Sequence, residues 1–323
     1  MTKKVLGLGN ALVDILTIIE SDKTLTKLGI PKGSMQLIDS DKMSEISDTI
    51  SNLDKKMATG GSVANTIRGL SNLGLQTGFI GKIGHDDIGK FFKKDIEQLG
   101  VKAQMLYSKQ HSGCCTALIS PDSERTMCTY LGAASELTAD DINISHFDGF
   151  DIFHIEGYLV QNHELIEKAV KLAKEAGLKV SLDLASYNIV EENRDFLCHL
   201  MKNYIDFAFA NEEEAIAFTG KAAEDALQEI ANLCEIAIVK VGKEGSFIQR
   251  GEQTFRVETP IVKAIDTTGA GDLYASGFLY GIANDMNLQR CGEIGSFVAS
   301  KVVQTIGTTI QPEVWKEIKK FAE

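Results

Sequence analysis

The heptapeptide Asp266-Thr267-Thr268-Gly269-Ala270-Gly271-Asp272 runs directly into an apolar stretch, 273–282, that reads as a buried helix. Small residues at a helix start let a ligand approach the backbone closely, and the N–H groups there have no partner within the helix. With the positive end of the helix dipole they form a ready anion site. Asp272 would stand in the first turn, beside whatever that site holds. A hydroxyl placed there meets a carboxylate on one side and a phosphate on the other, the layout for in-line phosphoryl transfer. By itself an aspartate in a first turn can do no more than favour the helix dipole, by ~0.3–1 kcal/mol, and Gly-Ala-Gly can be simple tight packing. The same helix terminus would hold the Asp272 carboxylate at low basicity.

Other segments carry residues of similar promise. Thr59-Gly60-Gly61-Ser62-Val63-Ala64-Asn65 reads as a glycine turn with Ser62 as the cap of a following helix. Asn211-Glu212-Glu213-Glu214 has the spacing of a helix capping box. Lys240-Val241-Gly242-Lys243-Glu244-Gly245 reads as a strand and hairpin turn, and Arg125 sits on a second hairpin, from which it could swing over phosphates. Two motifs fail on inspection. Gly7-Leu8-Gly9-Asn10-Ala11-Leu12-Val13-Asp14 begins like a dinucleotide fingerprint, but Leu12 stands where GxGxxG requires glycine. Gly84-His85-Asp86-Asp87-Ile88-Gly89-Lys90 has P-loop spacing, but Phe91 replaces the Mg²⁺-binding Ser or Thr, and Asp86 and Asp87 would repel phosphates.

These segments need elements to position them. Short apolar runs at 4–9, 76–83, 152–156, 179–184, 207–210 and 236–241 read as strands. Between them, 62–73, 87–99, 163–176, 212–218, 223–232, 269–284 and 288–305 read as helices. Such alternation predicts an α/β fold with a mainly parallel central sheet flanked by helices, whose ligands sit beyond the carboxyl ends of the strands. Two segments break the alternation. Residues 15–45 read as short strands with turns and 103–135 as hairpins, together a small β-sheet lid over a large α/β domain of 1–14, 46–102 and 136–323.

Composition narrows the function. A net charge of −12 over 323 residues disfavours a nucleic-acid binder, but not ATP, whose phosphates can be met by backbone N–H groups, Mg²⁺ and a few local cations. The six cysteines and six histidines show neither CxxC nor metal-ligand spacing, which predicts reduced thiols in a cytoplasm. No stretch approaches the ~20 apolar residues of a membrane helix, and no signal peptide is expected.

The sequence DTTGAGD, followed by Leu273-Tyr274-Ala275-Ser276-Gly277-Phe278, closely resembles the carboxyl-terminal signature of the ribokinase (PfkB) family. The resemblance implies a ribokinase-like fold and an ATP- and Mg²⁺-dependent kinase. Gly269, Ala270 and Gly271 would hold the transferring phosphate, and Asp272 would be the base for the acceptor hydroxyl. Residues 59–65 resemble the amino-terminal GG…N signature, with Gly60 and Gly61 as lid hinge and Asn65 on substrate hydroxyls. Asp14 matches the family aspartate that binds adjacent sugar hydroxyls. Asn211 and Glu214 resemble the NxxE motif, which orients Mg²⁺-bound water near the phosphates. Lys240, Gly242, Gly245 and Thr267 would border ATP. A monovalent cation is a further requirement that the resemblance raises.

Within the family, 33–39, 79–89, 124–127 and 272–281 look most like the adenosine-kinase branch, which implies the 5′-hydroxyl of adenosine as acceptor. Met35, Leu37, Tyr130 and Tyr158 are candidates for a slot around the base. A ribose, fructose or keto-sugar acid kinase is the alternative, and a non-catalytic nucleotide-binding regulator is the reading from another class. The expected partner is a small nucleoside or sugar, with no nucleic acid or membrane, and the chain is expected to be a monomer or homodimer.

Overall fold

The computed structural model describes residues 2–122 and 124–323. Its larger sheet has nine strands, in the spatial order Gln253–Val257, Ser246–Arg250, Ile236–Lys240, Phe207–Asn211, Lys179–Asp183, Ile152–Glu156, Val5–Leu8, Thr77–Gly84 and Lys102–Ser108. The last seven run parallel, and the first two close one edge as an antiparallel hairpin. Strands such as Ile152–Glu156 are buried along their whole length, as expected of a parallel sheet covered on both faces. Alternate residues feed separate cores. Leu6, Leu8, Phe153 and Ile155 pack under the helices His163–Glu175 and Tyr187–Asn203. Val5, Ile152 and Phe209 face Ser62–Leu73 and Ala270–Ala283 instead.

Ala270–Ala283, which follows the Gly-Ala-Gly turn, is buried along most of its length. Glycines let its neighbours come close. A Cβ on Gly277 would lie 2.8 Å from Gly295 Cα in Leu288–Val302, and one on Gly69 would lie 2.6 Å from Ser276 Cβ. The second approach draws the start of Ser62–Leu73 up against the start of Ala270–Ala283, where the candidate site lies.

The smaller sheet has five strands in the order Met35–Leu37, Arg125–Tyr130, Gly113–Ile119, Leu12–Ile18 and Lys56–Gly60. Three strands thus lie across the expected boundaries, one of them Leu12–Ile18, whose first three residues fall in the range expected of the large domain. Residues 56–60 pair antiparallel with Leu12–Ile18 and belong to the small sheet. Lys102–Ser108 continues the parallel register of Thr77–Gly84 and belongs to the large one. Residues 15–45 also contain more than short strands, for Lys23–Leu28 and Ser40–Thr49 are helices. Leu25, Leu28 and Ile46 cover one face of the small sheet at Leu118 and Cys128. The helices Tyr187–Asn203 and Pro312–Ala322 lie outside the elements read from the sequence. Among the described residues no helix is long and apolar enough to cross a membrane.

Candidate active site

Neighbouring parallel strands end in a row of polar residues. Asp183 is in register with Glu156, and Asn211 with Lys240, all at carboxyl ends. Facing this row is the start of Ala270–Ala283, where Gly269 adopts a left-handed φ of 73°. A cavity of ≈ 460 Å³ lies between them, lined among others by Ser62, Asp183, Glu214, Lys240, Gly271 and Asp272. Thr267, Gly269, Ala270, Asn211, Gly242 and Gly245 also line it. Every residue expected on the phosphate and nucleotide side therefore reaches one cavity.

Asp272 is held from the neighbouring helix. Ser62 Oγ donates to its Oδ1 at 2.7 Å and Asn65 Nδ2 to its Oδ2 at 2.9 Å, while Thr66 Oγ1 donates to its backbone carbonyl at 3.0 Å. Ser62 is not the helix cap expected of it. Gly61 takes that position and leaves the serine hydroxyl free for Asp272. The expected low basicity is also corrected, because burial pushes the Asp272 carboxyl up to about 6 against the hydrogen bonds from Asn65 and Ser62. A helix dipole is worth up to ~1 kcal/mol at a typical site, whereas burial can shift a carboxyl by several units at ~1.4 kcal/mol each.

Asp14 projects from the small sheet. A Cβ on Gly60, two residues along the neighbouring strand from Ala58, the partner of Asp14, would sit within 2.7 Å of both the Asp14 Cγ and Oδ2, so glycine there leaves the carboxyl its place. Burial raises Asp14 to about 6, opposed by Arg68 and reinforced by Asp272. Asn65, having donated to Asp272, keeps its Oδ1 buried without a partner, a place for a ligand hydroxyl to donate. Nearby, Glu156 accepts from Asn10 N at 2.9 Å, Asn10 Nδ2 at 2.7 Å and Val63 N at 3.1 Å. Asn10 precedes one strand of the small sheet and Val63 follows another, so one buried carboxyl ties both crossings. Burial lifts it to about 7. Gly61 belongs to the same junction, with a φ of 93° that favours glycine.

Arg125 does not lie over the cavity. Its Nη1 donates to Asp266 Oδ2 at 2.7 Å, joining the small sheet to the first residue of the heptapeptide. Burial works against the charge on Asp266, yet hydrogen bonds from Gly307 N, Arg125 and Thr268 hold its carboxyl down to about 2. Arg125 is thus a strap between the small sheet and the loop that leads into Ala270–Ala283. Arg125→Ala is expected to lower kcat/KM ~10-fold, the scale of one hydrogen bond to a charged group at ~1.5 kcal/mol. An unchanged kcat/KM would remove the strap from turnover.

Residues 33–315 match the family described as "pfkB family carbohydrate kinase". The chain belongs to the pfkB family. Its structure superposes on "the crystal structure of adenosine kinase from Sinorhizobium meliloti" with a TM-score of 0.86, at 32% identity over 99% of each chain. The "5-dehydro-2-deoxygluconokinase" of Shouchella clausii is 30% identical over 82% of this chain and 86% of its own length. The "Adenosine kinase" of Saccharomyces cerevisiae is 28% identical over 97% of this chain and 98% of its own. The fold is ribokinase-like and the protein is a phosphotransferase acting on an alcohol group of a small sugar or nucleoside. PfkB kinases use ATP, generally with Mg²⁺.

The residues present fit ATP. The Gly-Ala-Gly turn opens onto the cavity, Gly242 and Gly245 border it without side chains, and Ser296 lines it with a buried Oγ that has no partner. Asn211 and Glu214 form a capping box, with Asn211 Oδ1 accepting from Glu214 N at 2.9 Å and Asn211 N donating to Glu214 Oε2 at 2.8 Å. The box fixes Glu214 at the cavity, where burial and the neighbouring Asp183 raise its carboxyl to about 7. Among the described residues no cluster of three or more His, Cys, Asp or Glu could hold a metal ion.

Three residues escaped sequence reading: Asp183, Glu156 and the hydroxyl role of Ser62. Asp183 carried a signal, since it ends a strand at the same edge as Asn211 and Lys240. The decoy loop behaves as read, with Asp86 Oδ1 accepting from Gly89 N at 2.8 Å to cap the helix Asp87–Gln98.

Proposed function

We propose that this pfkB kinase transfers the γ-phosphate of ATP to the 5′-hydroxyl of a nucleoside, adenosine before others. One observation carries the choice of acceptor: the apolar face of the small sheet around Asp14. Residues paired across a sheet share a face. Cys115, Thr129, Leu37 and Ala58 lie in register with Asp14, and Ala117, Met127 and Met35 with Leu16. Met35 and Leu37 are 72% and 70% exposed, available to cover a base rather than packed in a core. Tyr158 adds an aromatic edge at the cavity. Tyr130 has no part in this slot, being buried with its hydroxyl donated to Gln110.

Among the described residues the cations on that face are Lys56 at its edge and Arg125, which is bonded to Asp266. For the carboxylate of a sugar acid that leaves Lys56, at the edge of the face. The likeness to the Sinorhizobium meliloti adenosine kinase supports the nucleoside reading. The Shouchella clausii 5-dehydro-2-deoxygluconokinase supports a second one, a carbohydrate kinase acting on a free sugar or keto-sugar acid.

In the proposed mechanism, Asp14 accepts hydrogen bonds from the two ribose hydroxyls, and Asn65 Oδ1 takes a third. Asp272 accepts the proton of the acceptor hydroxyl as its oxygen bonds to phosphorus. The amides of residues 269–271 hold the transferring group. Glu214 would orient water on Mg²⁺, which supplies charge neutralisation between the phosphates when bound.

The test is ATP- and Mg²⁺-dependent ADP release across nucleosides and sugars, with and without K⁺ to read a monovalent-cation requirement. Turnover is expected to peak with adenosine. Turnover with free sugars alone would overturn the acceptor, and silence across the panel would favour a nucleotide-binding regulator.

A further inference from the structure

Lys240 ends the strand Ile236–Lys240 with its ammonium in the cavity wall. Its Nζ donates to Asp183 Oδ2 at 2.8 Å. It also touches the anion turn, for a Cβ added to Gly271 would stand 3.0 Å from Nζ. The glycine at that position leaves room for a cation close against the backbone that would hold the phosphate.

Asp183 is itself built into place. Its Oδ1 accepts from Ala185 N at 3.0 Å, leaving Oδ2 to Lys240. Ala185 adopts a left-handed φ of 70°, a conformation that costs a residue with a side chain ~1–3 kcal/mol. Strain of this kind persists where the surroundings over-determine a geometry, and here the geometry aims a carboxylate at Lys240. Burial alone would discharge Lys240, but Asp183 and Glu214, with help from Asp272, outweigh it and hold the group above its ordinary value.

The charge inventory asks for such a cation. Among the described residues lining the cavity, Asp183, Glu214 and Asp272 carry carboxylates, and Lys240 alone carries a positive charge. A polyanionic nucleotide entering that field needs a positive group of the protein near its terminal phosphate. Arg125 is bonded to Asp266 and does not line the cavity.

We propose that Lys240 is a catalytic residue whose ammonium, positioned by Asp183, contacts the γ-phosphoryl group and stabilises its charge during transfer. In that step the acceptor oxygen bonds to the γ-phosphorus as the bond to the β,γ-bridging oxygen breaks. The hydroxyl proton goes to Asp272, and ADP departs with the bond's electron pair. Lys240 gives up no proton. The inference rests on the kinase activity of the family and is independent of which acceptor is used.

The experiment compares Lys240→Met, Asp183→Asn and the double variant, using whichever acceptor the wild type turns over. Lys240→Met is expected to lower kcat by ~10²–10³-fold, the range for losing one preorganised electrostatic group, with acceptor KM little changed. Calorimetric binding of Mg²⁺-ADP and of the Mg²⁺ complex of β,γ-methylene ATP gives a second readout. Affinity for the analogue should fall ~10-fold more than affinity for ADP, since only the analogue carries the third phosphate. Asp183→Asn should lower kcat less than Lys240→Met does. Should Lys240→Met fail to fold, the double variant leaves no unpaired carboxylate and carries both readouts. Equal losses for ADP and the analogue, or a kcat within ~3-fold of wild type, would reduce Lys240 to a structural ion pair.

Discussion

Asp272→Asn should lower phosphoryl transfer by ~10²–10⁴-fold, the range for losing a general base, while leaving the fold intact. The carboxylate accepts from both Ser62 and Asn65; an amide can still accept from Asn65 and, with the bond reversed, donate to the Ser62 hydroxyl, but it cannot take a proton. Its basicity supports the role, since a group pushed up to about 6 accepts a proton better than an ordinary aspartate while remaining largely ionised at neutral pH. The sign follows directly: the base form is lost as pH falls through about 6, so kcat/KM should decline on that acid limb. Asp14 is raised to about 6 as well, and its charge would hold the ribose. The limb should therefore approach a slope of two, with apparent values that belong to the coupled pair. A profile of kcat/KM between pH 5 and pH 8 reads this. A profile flat down to pH 5 would exclude Asp272 as the base, as would near-normal turnover in Asp272→Asn.

Asp14→Ala should be comparably severe but should act through the acceptor. Each hydrogen bond to a charged group is worth ~1.5–3 kcal/mol, so losing two removes ~3–6 kcal/mol, or ~10²–10⁴ in kcat/KM for the acceptor. Affinity for ATP, measured by calorimetry, should hardly change, because Asp14 stands on the small sheet and outside the phosphate cavity. Stability should move the other way. A carboxyl whose folded value is raised penalises the fold at pH above that value, and the penalty vanishes below its unfolded value near 4. The variant's Tm at pH 7.5 should then match or exceed that of the wild type, with the difference shrinking toward pH 4. Loss of ATP binding together with acceptor binding would show that Asp14 serves the fold and not the substrate.

Local pattern made much of the fold legible. Ser62–Leu73 runs between the residues expected, since its apolar spacing and the flanking glycines are local signals. The turn before Ala270–Ala283 was readable for the same reason, because small residues at a helix start have a mechanism of their own. The helices at 23–28 and 40–49 were harder. Each is short, and tertiary cover from Leu118 and Cys128 supports it more than propensity does. Strand partnership was harder still, since the apolar alternation of 56–60 and 102–108 does not say which sheet each joins.

What the sequence by itself determined is the alternation of strands and helices, the anion turn with its aspartate, and the residue types that converge on the cavity. Only the tertiary structure decided what those residues do to one another. Ser62 reaches Asp272 across 210 positions, Arg125 reaches Asp266 across 141, and Lys240 reaches Asp183 across 57. Such contacts depend on how strands order and helices dock, and no spacing encodes them. The raised basicity of Asp272 arises in the same way: the dipole that favours its charge is written in the local sequence, whereas the burial that outweighs it exists only after Ser62–Leu73 has packed against Ala270–Ala283.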